Sequence, residues 1–433
     1  MSEAPRGVWG VVPPQKAGSE APRGVWGVVP PQKAGSDAGP GALPLAGMRV
    51  VELSSFVAVP LGGMTLAQLG ADVIRVDQIG GGPDIDRRPL APSGRSLYWA
   101  GLNKGKRSVT VDLRSPEGRE LVADLVAGSG VVLTNAPPRE GLTYEALRER
   151  RPDLIHVQLQ GRRDGGNAVD YTVNASLGFP FITGPADQST PVNHVLPAWD
   201  VACGLYLAVG LLAAERHRLR TGEGQRVRVA LQDVALATAG NLGYLAEAQL
   251  GGVRPRLGNG LFGDFGRDFA TADGRVMVVA LTARHWRDLV DATGFGEVAA
   301  ALERALGADF RGAGDRYAHR ETLAGVLAPW FASRTCAEVE DALKGTSVLW
   351  SRYRDFTEVA ADLDTEPLMA ELDQPGIGAH LAPGSPLRLG ETALPPAPAP
   401  DLGQDTGEVL RDVLSLPPEE ADALRARRVA GEA

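Results

Sequence analysis

The spacing of apolar residues switches repeatedly between two periods over residues 48–231, and the switching predicts a strand–helix–strand order. Residues 48–53 (Met48-Arg-Val-Val-Glu-Leu53) form a compact, β-branched run that reads as a buried strand. A turn over 54–60 leads to a helical pattern over 62–69, closed by Gly70, a residue suited to the left-handed helix cap. Residues 72–76 read as the second strand. Further strands are expected at 108–113, 130–134, 154–159 and 225–231, with helices at 115–127 and 144–150. Ser115-Pro116 marks one helix start, with a capping hydroxyl followed by proline at the first helical position. This alternation predicts an α/β fold: a Rossmann-like parallel sheet with helices on its faces. Ligands of such sheets sit beyond the carboxyl ends of the strands. The loops after residues 53, 76, 133 and 159 are therefore expected to converge on one site.

Residues 201–214 form the longest apolar run, which is too short to span a bilayer and reads as the heart of a core helix ending near Arg220. A second helix is expected over 235–250. Near Gly251 the composition loosens into Gly-Gly-Val-Arg-Pro-Arg-Leu-Gly-Asn-Gly, which reads as a linker. Residues 262–359 read as a smaller α+β unit, with a hairpin over 269–279 turning at Asp273-Gly274. Gln374-Pro-Gly-Ile-Gly378 and a proline-rich segment at 394–400 return the chain to a last helical region, 405–425. The expected organisation is a tail over 1–45, a large domain begun over 46–250, a small domain with linkers over 251–370, and a return to the large domain over 371–433.

Composition narrows the function classes. The 433 residues carry a formal net charge of −9, which gives no support to nucleic-acid binding. The two cysteines, Cys203 and Cys336, cannot build a disulfide framework, so both are expected to be small buried residues in a cytoplasmic protein. No Gly-x-Gly-x-x-Gly follows the first strand, so NAD is not expected; neither cysteine lies in a Cys-x-x-Cys or Cys/His cluster, and no metal is expected. Residues 2–18 recur unchanged as 19–35. Two Pro/Gly-rich copies are too few for a solenoid, and disorder is expected to about Pro44.

Chemistry concentrates in residues 161–174, Gly161-Arg-Arg-Asp-Gly-Gly-Asn-Ala-Val-Asp-Tyr-Thr-Val-Asn174, a stretch without an apolar period. Its arginines can grip a carboxylate or phosphate through a planar fork. Asp170, at the end of a glycine-rich loop, is a candidate nucleophile or base. A solvated turn-rich loop is the plain alternative. Asn103-Lys-Gly-Lys-Arg107 likewise reads either as a phosphate-binding cluster or as a solvated turn.

Several motifs occur in a fixed order: Val50-Val-Glu-Leu-Ser54, Leu69-Gly-Ala-Asp-Val-Ile-Arg-Val-Asp77, Asn103-Lys-Gly-Lys-Arg-Ser-Val-Thr-Val-Asp-Leu113, Thr221-Gly-Glu-Gly-Gln225 and Ala230-Leu-Gln-Asp233. Together they resemble the class III CoA-transferases of the formyl-CoA transferase, CaiB–BaiF type, over nearly everything after residue 46. The resemblance implies a large Rossmann-like domain built from both ends of the chain, a small domain between them, and an interlocked homodimer. It implies that Asp170 is the nucleophile and that Ser55, Phe56, Val57, Ala58, Arg75, Asn103, Lys106 and Asn135 line the CoA pocket. Gln78 and Ala136 depart from the pattern; many relatives have arginine and phenylalanine there.

A narrower set of motifs, at 56–68, 161–166, 169–174, 193–200 and 374–378, is similar to family members that move CoA between the two carboxyls of one C5 unsaturated diacid. The implied partner is a CoA thioester of that diacid, with no cofactor beyond the CoA moiety. The implied route runs through an aspartyl anhydride and an aspartyl-CoA thioester. A free aspartate is ionised at neutral pH, and a polar, unburied setting would keep it so. Arg162 or Arg163 would hold the idle carboxylate, and Gly165-Gly166 would cover the site or bind an oxyanion. His194 reads either as a substrate contact or as a structural residue beside a helix start. Alternatives are an intermolecular CoA-transferase, an acyl-CoA racemase and a non-catalytic CoA-binding protein. Val169 stands where racemases of the family carry a histidine, which argues against that reading.

Overall fold

The computed structural model describes residues 43–390 and 394–431; the duplicated segment and the expected disorder of the tail fall outside the described residues. The main sheet contains β1 (Arg49–Leu53), β2 (Asp72–Asp77), β3 (Arg107–Val111), β4 (Val131–Thr134), β5 (Ile155–Gln160) and β6 (Arg226–Ala230), with a two-residue β12 (Ala430–Gly431) at one edge. Its order is β12-β3-β2-β1-β4-β5-β6, parallel throughout except where β12 runs against β3. The mixed α/β expectation holds, and each of β1 to β6 lies within two residues of its expected bounds.

Strands β1 to β5 are buried along most of their length because both faces are covered. One face buries Val50, Val73, Leu133, Ile155 and Val157 against α1 (Ala58–Gln68), α7 (Ala198–Thr221) and α8 (Leu231–Asn241). The other buries Val51, Ile74, Val76, Val109 and Val132 against α3 (Pro116–Ser129), α4 (Tyr144–Arg150) and Val409 of the returning C-terminal segment. Ser115 caps α3 through a bond from the Gly118 N–H, as its sequence predicts. Helix α7 is the expected core helix, although by length and composition alone it could also cross a membrane. It buries Trp199, Cys203, Leu207 and Leu211, while Leu205, Tyr206 and Val209 remain exposed.

Where α1 crosses α7 the backbones touch. A Cβ on Gly204 would lie 2.8 Å from the Ala58 carbonyl oxygen, so only glycine allows this approach.

Three details differ from expectation. The helix expected over 235–250 is two pieces, α8 and α9 (Tyr244–Gln249), split at Gly243, whose φ of +82° is left-handed. The expected hairpin forms as β7 (Phe265–Ala270) and β8 (Arg275–Ala280), but a third strand, β9 (Leu349–Arg352), joins it. A second hairpin, β10 (Met369–Gln374) with β11 (Gly378–Pro383), turns at Gln374-Pro-Gly-Ile-Gly378. These strands, like β12, are short or bury only one or two residues, so no apolar period marks them.

Candidate active site

Strand β5 ends at Gln160, and the chain turns tightly through Gly161. A Cβ on Gly161 would meet the Ala168 amide nitrogen at 2.3 Å, so this crossing requires glycine. The Arg162 N–H donates to the Gly166 carbonyl, and the Gln232 N–H of α8 donates to the Gly161 carbonyl. The loop is thereby tied down and delivers α5 (Asp170–Ala175), a short helix absent from the sequence reading. Thr172 closes its first turn, accepting from the Val169 N–H and donating back to the Val169 carbonyl. Asp170 is the first residue of that helix.

The Asp170 carboxylate is seated on the start of α7. Its Oδ2 accepts the Trp199 N–H at 2.7 Å and the Asp200 N–H at 3.2 Å, and its Oδ1 lies 3.3 Å from His194 Nε2. The local sequence explains this geometry. The residue before α7 is Pro197, which offers no capping side chain. The first N–H groups of the helix therefore lack a local acceptor, and Asp170 supplies one from another element. A 24-residue helix also places positive potential at its start, where an anion is favoured. The expectation of an unburied aspartate is corrected: Asp170 is only 2% exposed, and these donors compensate for the lost solvent. One oxygen is held by the backbone, while the other faces His194.

Around this centre, Asn174 Oδ1 accepts from Trp199 Nε1 at 3.2 Å, and Asn174 Nδ2 donates to Asn193 Oδ1 at 3.0 Å. The Trp199 ring packs against Phe179 and His194. His194, left open between two roles in the sequence reading, thus contacts the candidate nucleophile. Cys203, one turn further along α7, is buried, and burial with the nearby Asp200 and Asp170 pushes its thiol up to about 12. A thiolate there is excluded at neutral pH, as its expected structural role requires.

Other sequence-predicted residues sit elsewhere or are otherwise engaged. Arg163 Nε pairs with Asp233 at 2.9 Å, with its side chain 85% exposed. Arg162 is also exposed. The Gly165 N–H donates to the Arg162 carbonyl and the Gly166 N–H to Asp164 Oδ1, so neither is free to hold an oxyanion in this conformation.

Beneath the ends of β1, β2 and β3 lies a buried ion network of three carboxylates and two cations. Arg75 donates to Asp77, Asp84, Asn103 and the Ser54 carbonyl, and Lys106 donates to Glu52, Asn103 and the Pro60 carbonyl. Burial lowers Lys106 to about 8, and Glu52 pulls it partly back. Arg75, Asn103 and Lys106, expected as direct CoA contacts, thus spend their donors inside the protein, where they brace the loop above.

That loop is the other half of the site. Asn135 clamps Ser55 from both sides, accepting its N–H at 3.0 Å and donating to its carbonyl at 2.9 Å. Phe56 follows with a φ of +66°, a strained conformation for a non-glycine residue, held because its N–H donates to Asp84 at 3.1 Å. Val57 and Ala58 then enter α1, so Ser55–Phe56 forms an exposed shelf beyond β1. Sequence reasoning missed Asp84 and the α7 amides; the only trace of the latter was Asp200, an acidic residue in the first turn of the core helix.

Burial lifts the Asp200 carboxyl to about 6, with Asp170 raising it further and Arg87 drawing it down. The folded chain therefore holds this proton more tightly than the unfolded chain, and stability falls as pH rises from about 4 to 6. Above that window the cost is fully present. Asp200→Asn should raise stability at pH 7.5 by up to about 3 kcal/mol and change it little at pH 4. Thermal melts of both proteins at the two pH values check this; a gain that is equal at both would contradict it.

Comparisons with known proteins agree on one group. The sequence model of CoA-transferase family III matches residues 45–406. The chain is 52% identical over 392 residues, 88% of its length and 96% of the relative's, to 2-methylfumaryl-CoA isomerase of Chloroflexus aurantiacus. It is 32% identical over 388 residues, 84% of its length and 94% of the relative's, to succinyl-CoA:mesaconate CoA-transferase of Haloarcula hispanica. A crystal structure of a CaiB/BaiF family protein from Brucella suis superposes with a TM-score of 0.72 at 26% identity, covering 86% of this chain and 100% of that one.

Proposed function

The chain belongs to CoA-transferase family III, and from that premise we propose that it is an isomerase converting 2-methylfumaryl-CoA to 3-methylfumaryl-CoA by moving CoA between the carboxyls of one diacid. The observation that carries the reading is the Asp170 carboxylate, anchored through Oδ2 on the start of α7 with Oδ1 left toward His194. The similarity to the Chloroflexus aurantiacus isomerase supports the substrate.

The route is a nucleophilic relay. Asp170 Oδ1 attacks the thioester carbonyl at C1; the C–S bond breaks and CoA leaves as thiolate, giving an aspartyl–acyl anhydride. The thiolate attacks the aspartyl carbonyl, forming an aspartyl-CoA thioester and releasing the diacid as a carboxylate. The C4 carboxylate attacks that thioester and again expels CoA thiolate. Finally the thiolate attacks the C4 carbonyl of the second anhydride, yielding the product and free Asp170. No proton is transferred in any step. The α7 amides stabilise the carboxylate each time it is regenerated. The shelf at Ser55–Phe56 is read as the CoA contact. The exposed apolar face of α7, with Leu205, Tyr206 and Val209, is read as the surface covered by a second copy of the chain.

Incubation of the purified protein with 2-methylfumaryl-CoA and carbon-13-labelled free mesaconate tests the intramolecular reading. The expected result is 3-methylfumaryl-CoA carrying no label. Label in the product would favour an intermolecular CoA-transferase, the class to which the Haloarcula hispanica relative belongs.

A further inference from the structure

The diacid has one carboxylate idle while the other reacts, and the two arginines of the 161–166 loop are poorly placed to hold it. One cation near Asp200, whose own N–H holds Asp170, is better placed. We propose that Arg87, held between Phe56 and Tyr98, receives the carboxylate that is not undergoing CoA transfer, an assignment that rests on the diacid isomerase reading above.

The Arg87 guanidinium lies 5.3 Å from the Phe56 ring centroid and 5.0 Å from that of Tyr98. Its backbone carbonyl accepts the Ser96 hydroxyl, and Ser96 caps α2 (Leu97–Leu102), the helix that carries Tyr98. The other ring sits on Phe56, whose strained backbone is fixed by Asp84. The two aromatic faces therefore flank the guanidinium. Among the described residues, no carboxylate or carbonyl accepts a bond from its nitrogens. The rings offer it no carboxylate or carbonyl, so the fork that binds a carboxylate through two parallel bonds is unused. Tyr98 Oη is itself buried without a partner, and burial keeps its phenol protonated to about pH 12, so it remains a hydrogen-bond donor.

The fold places this pair near Asp200, at the start of α7. Asp200 and Gly204 are four residues apart on α7 and share a face, and Gly204 presses on Ala58 at the start of α1. Asp200 consequently faces the shelf on which Phe56 and Arg87 sit, while its own N–H holds Asp170. Among the described residues, Asp200 is the carboxyl that Arg87 acts on; Asp84, three residues earlier in the same loop, is already bound by Arg75. Burial favours the neutral form of Asp200, Asp170 adds to this, and Arg87 opposes it, which marks all three as electrostatic neighbours. A substrate carboxylate arriving here meets an exposed cation that no protein carboxylate holds, and it reinforces the neutral form of Asp200. A CoA diphosphate, with more negative charge, would be set against Asp170 and Asp200 at the same place.

The test compares two thioesters on the full-length protein: 2-methylfumaryl-CoA, and methacrylyl-CoA, which lacks the second carboxylate. Arg87→Gln should cut kcat/KM for the diacid thioester by about 100-fold, the scale of a lost charge-assisted contact. It should leave the rate of aspartyl-CoA adduct formation from methacrylyl-CoA, read by intact-protein mass, within about threefold of wild type. Millimolar guanidinium should partly restore turnover to Arg87→Ala, a rescue that a purely structural role would not show. Equal losses on both thioesters, or no loss on either, would overturn the assignment. If wild type forms no adduct with either thioester yet Arg87→Gln still selectively loses diacid turnover, Arg87 keeps this role and the anhydride route is what fails.

Discussion

Asp170→Asn should abolish isomerisation, lowering turnover by at least about ten-thousandfold, the scale seen when an enzyme loses its covalent nucleophile. Asparagine preserves the shape and one carbonyl oxygen. That oxygen can still accept the Trp199 and Asp200 N–H groups that Oδ2 accepts now. The amide nitrogen, however, cannot open a thioester to an anhydride. The α7 start is therefore expected to stay intact, with thermal stability changed little, while chemistry stops. Steady-state assay with a parallel melt separates the two effects. An unfolded variant would instead assign Asp170 the role of a structural cap, and a stable variant with near-normal turnover would remove it from the mechanism.

The second large effect is on stability. Arg75→Met should destabilise the chain by roughly 3–5 kcal/mol, because it leaves buried carboxylates without their cation. Arg75 is 1% exposed and bonds Asp77 and Asp84 together with Asn103. Lys106 cannot replace it, since its own three donors are spent on Glu52, Asn103 and the Pro60 carbonyl. The loss should extend to the site, because Asp84, released from Arg75, would no longer fix the strained Phe56 backbone. Chemical denaturation should show a lower midpoint with an unchanged slope. At temperatures where the variant remains folded, KM for the CoA thioester should rise more than kcat falls. A variant as stable as wild type would show that water fills the space and satisfies both carboxylates.

The parallel sheet was legible because β1, β2, β4 and β5 are buried on both faces and therefore carry short β-branched apolar runs, such as Val50-Val51, Val73-Ile74 and Val131-Val-Leu133. The strand–helix alternation in turn announced where the loops would gather, and Asp170 lies in one of them. Harder to read was anything decided by tertiary contact. Helix α5 has only six residues and no apolar period, so its start becomes visible only once the uncapped α7 is placed beside it. Arg75 and Lys106 illustrate a second limit. In sequence, a cation at a strand end and one in a Lys-rich turn look alike whether they face a phosphate or a buried carboxylate. Glu52 decided between these, since it sits inside β1 and is fully buried. Arg87 escaped notice for the opposite reason: its rings come from residues 56 and 98, which meet only in the fold.

The relay through Asp170 makes one atom-level demand. In the second anhydride, the bridging oxygen comes from the C4 carboxylate and stays on the aspartate when CoA departs with C4. Substrate labelled with oxygen-18 in that carboxylate should therefore leave one oxygen-18 atom in Asp170, found by mass spectrometry of the peptide that contains it. In the first turnover the C1 carboxylate of the product should carry an unlabelled oxygen taken from Asp170, and in later turnovers it should acquire oxygen-18 through Asp170. Product formed in quantity by an enzyme whose Asp170 peptide remains unlabelled would contradict the account.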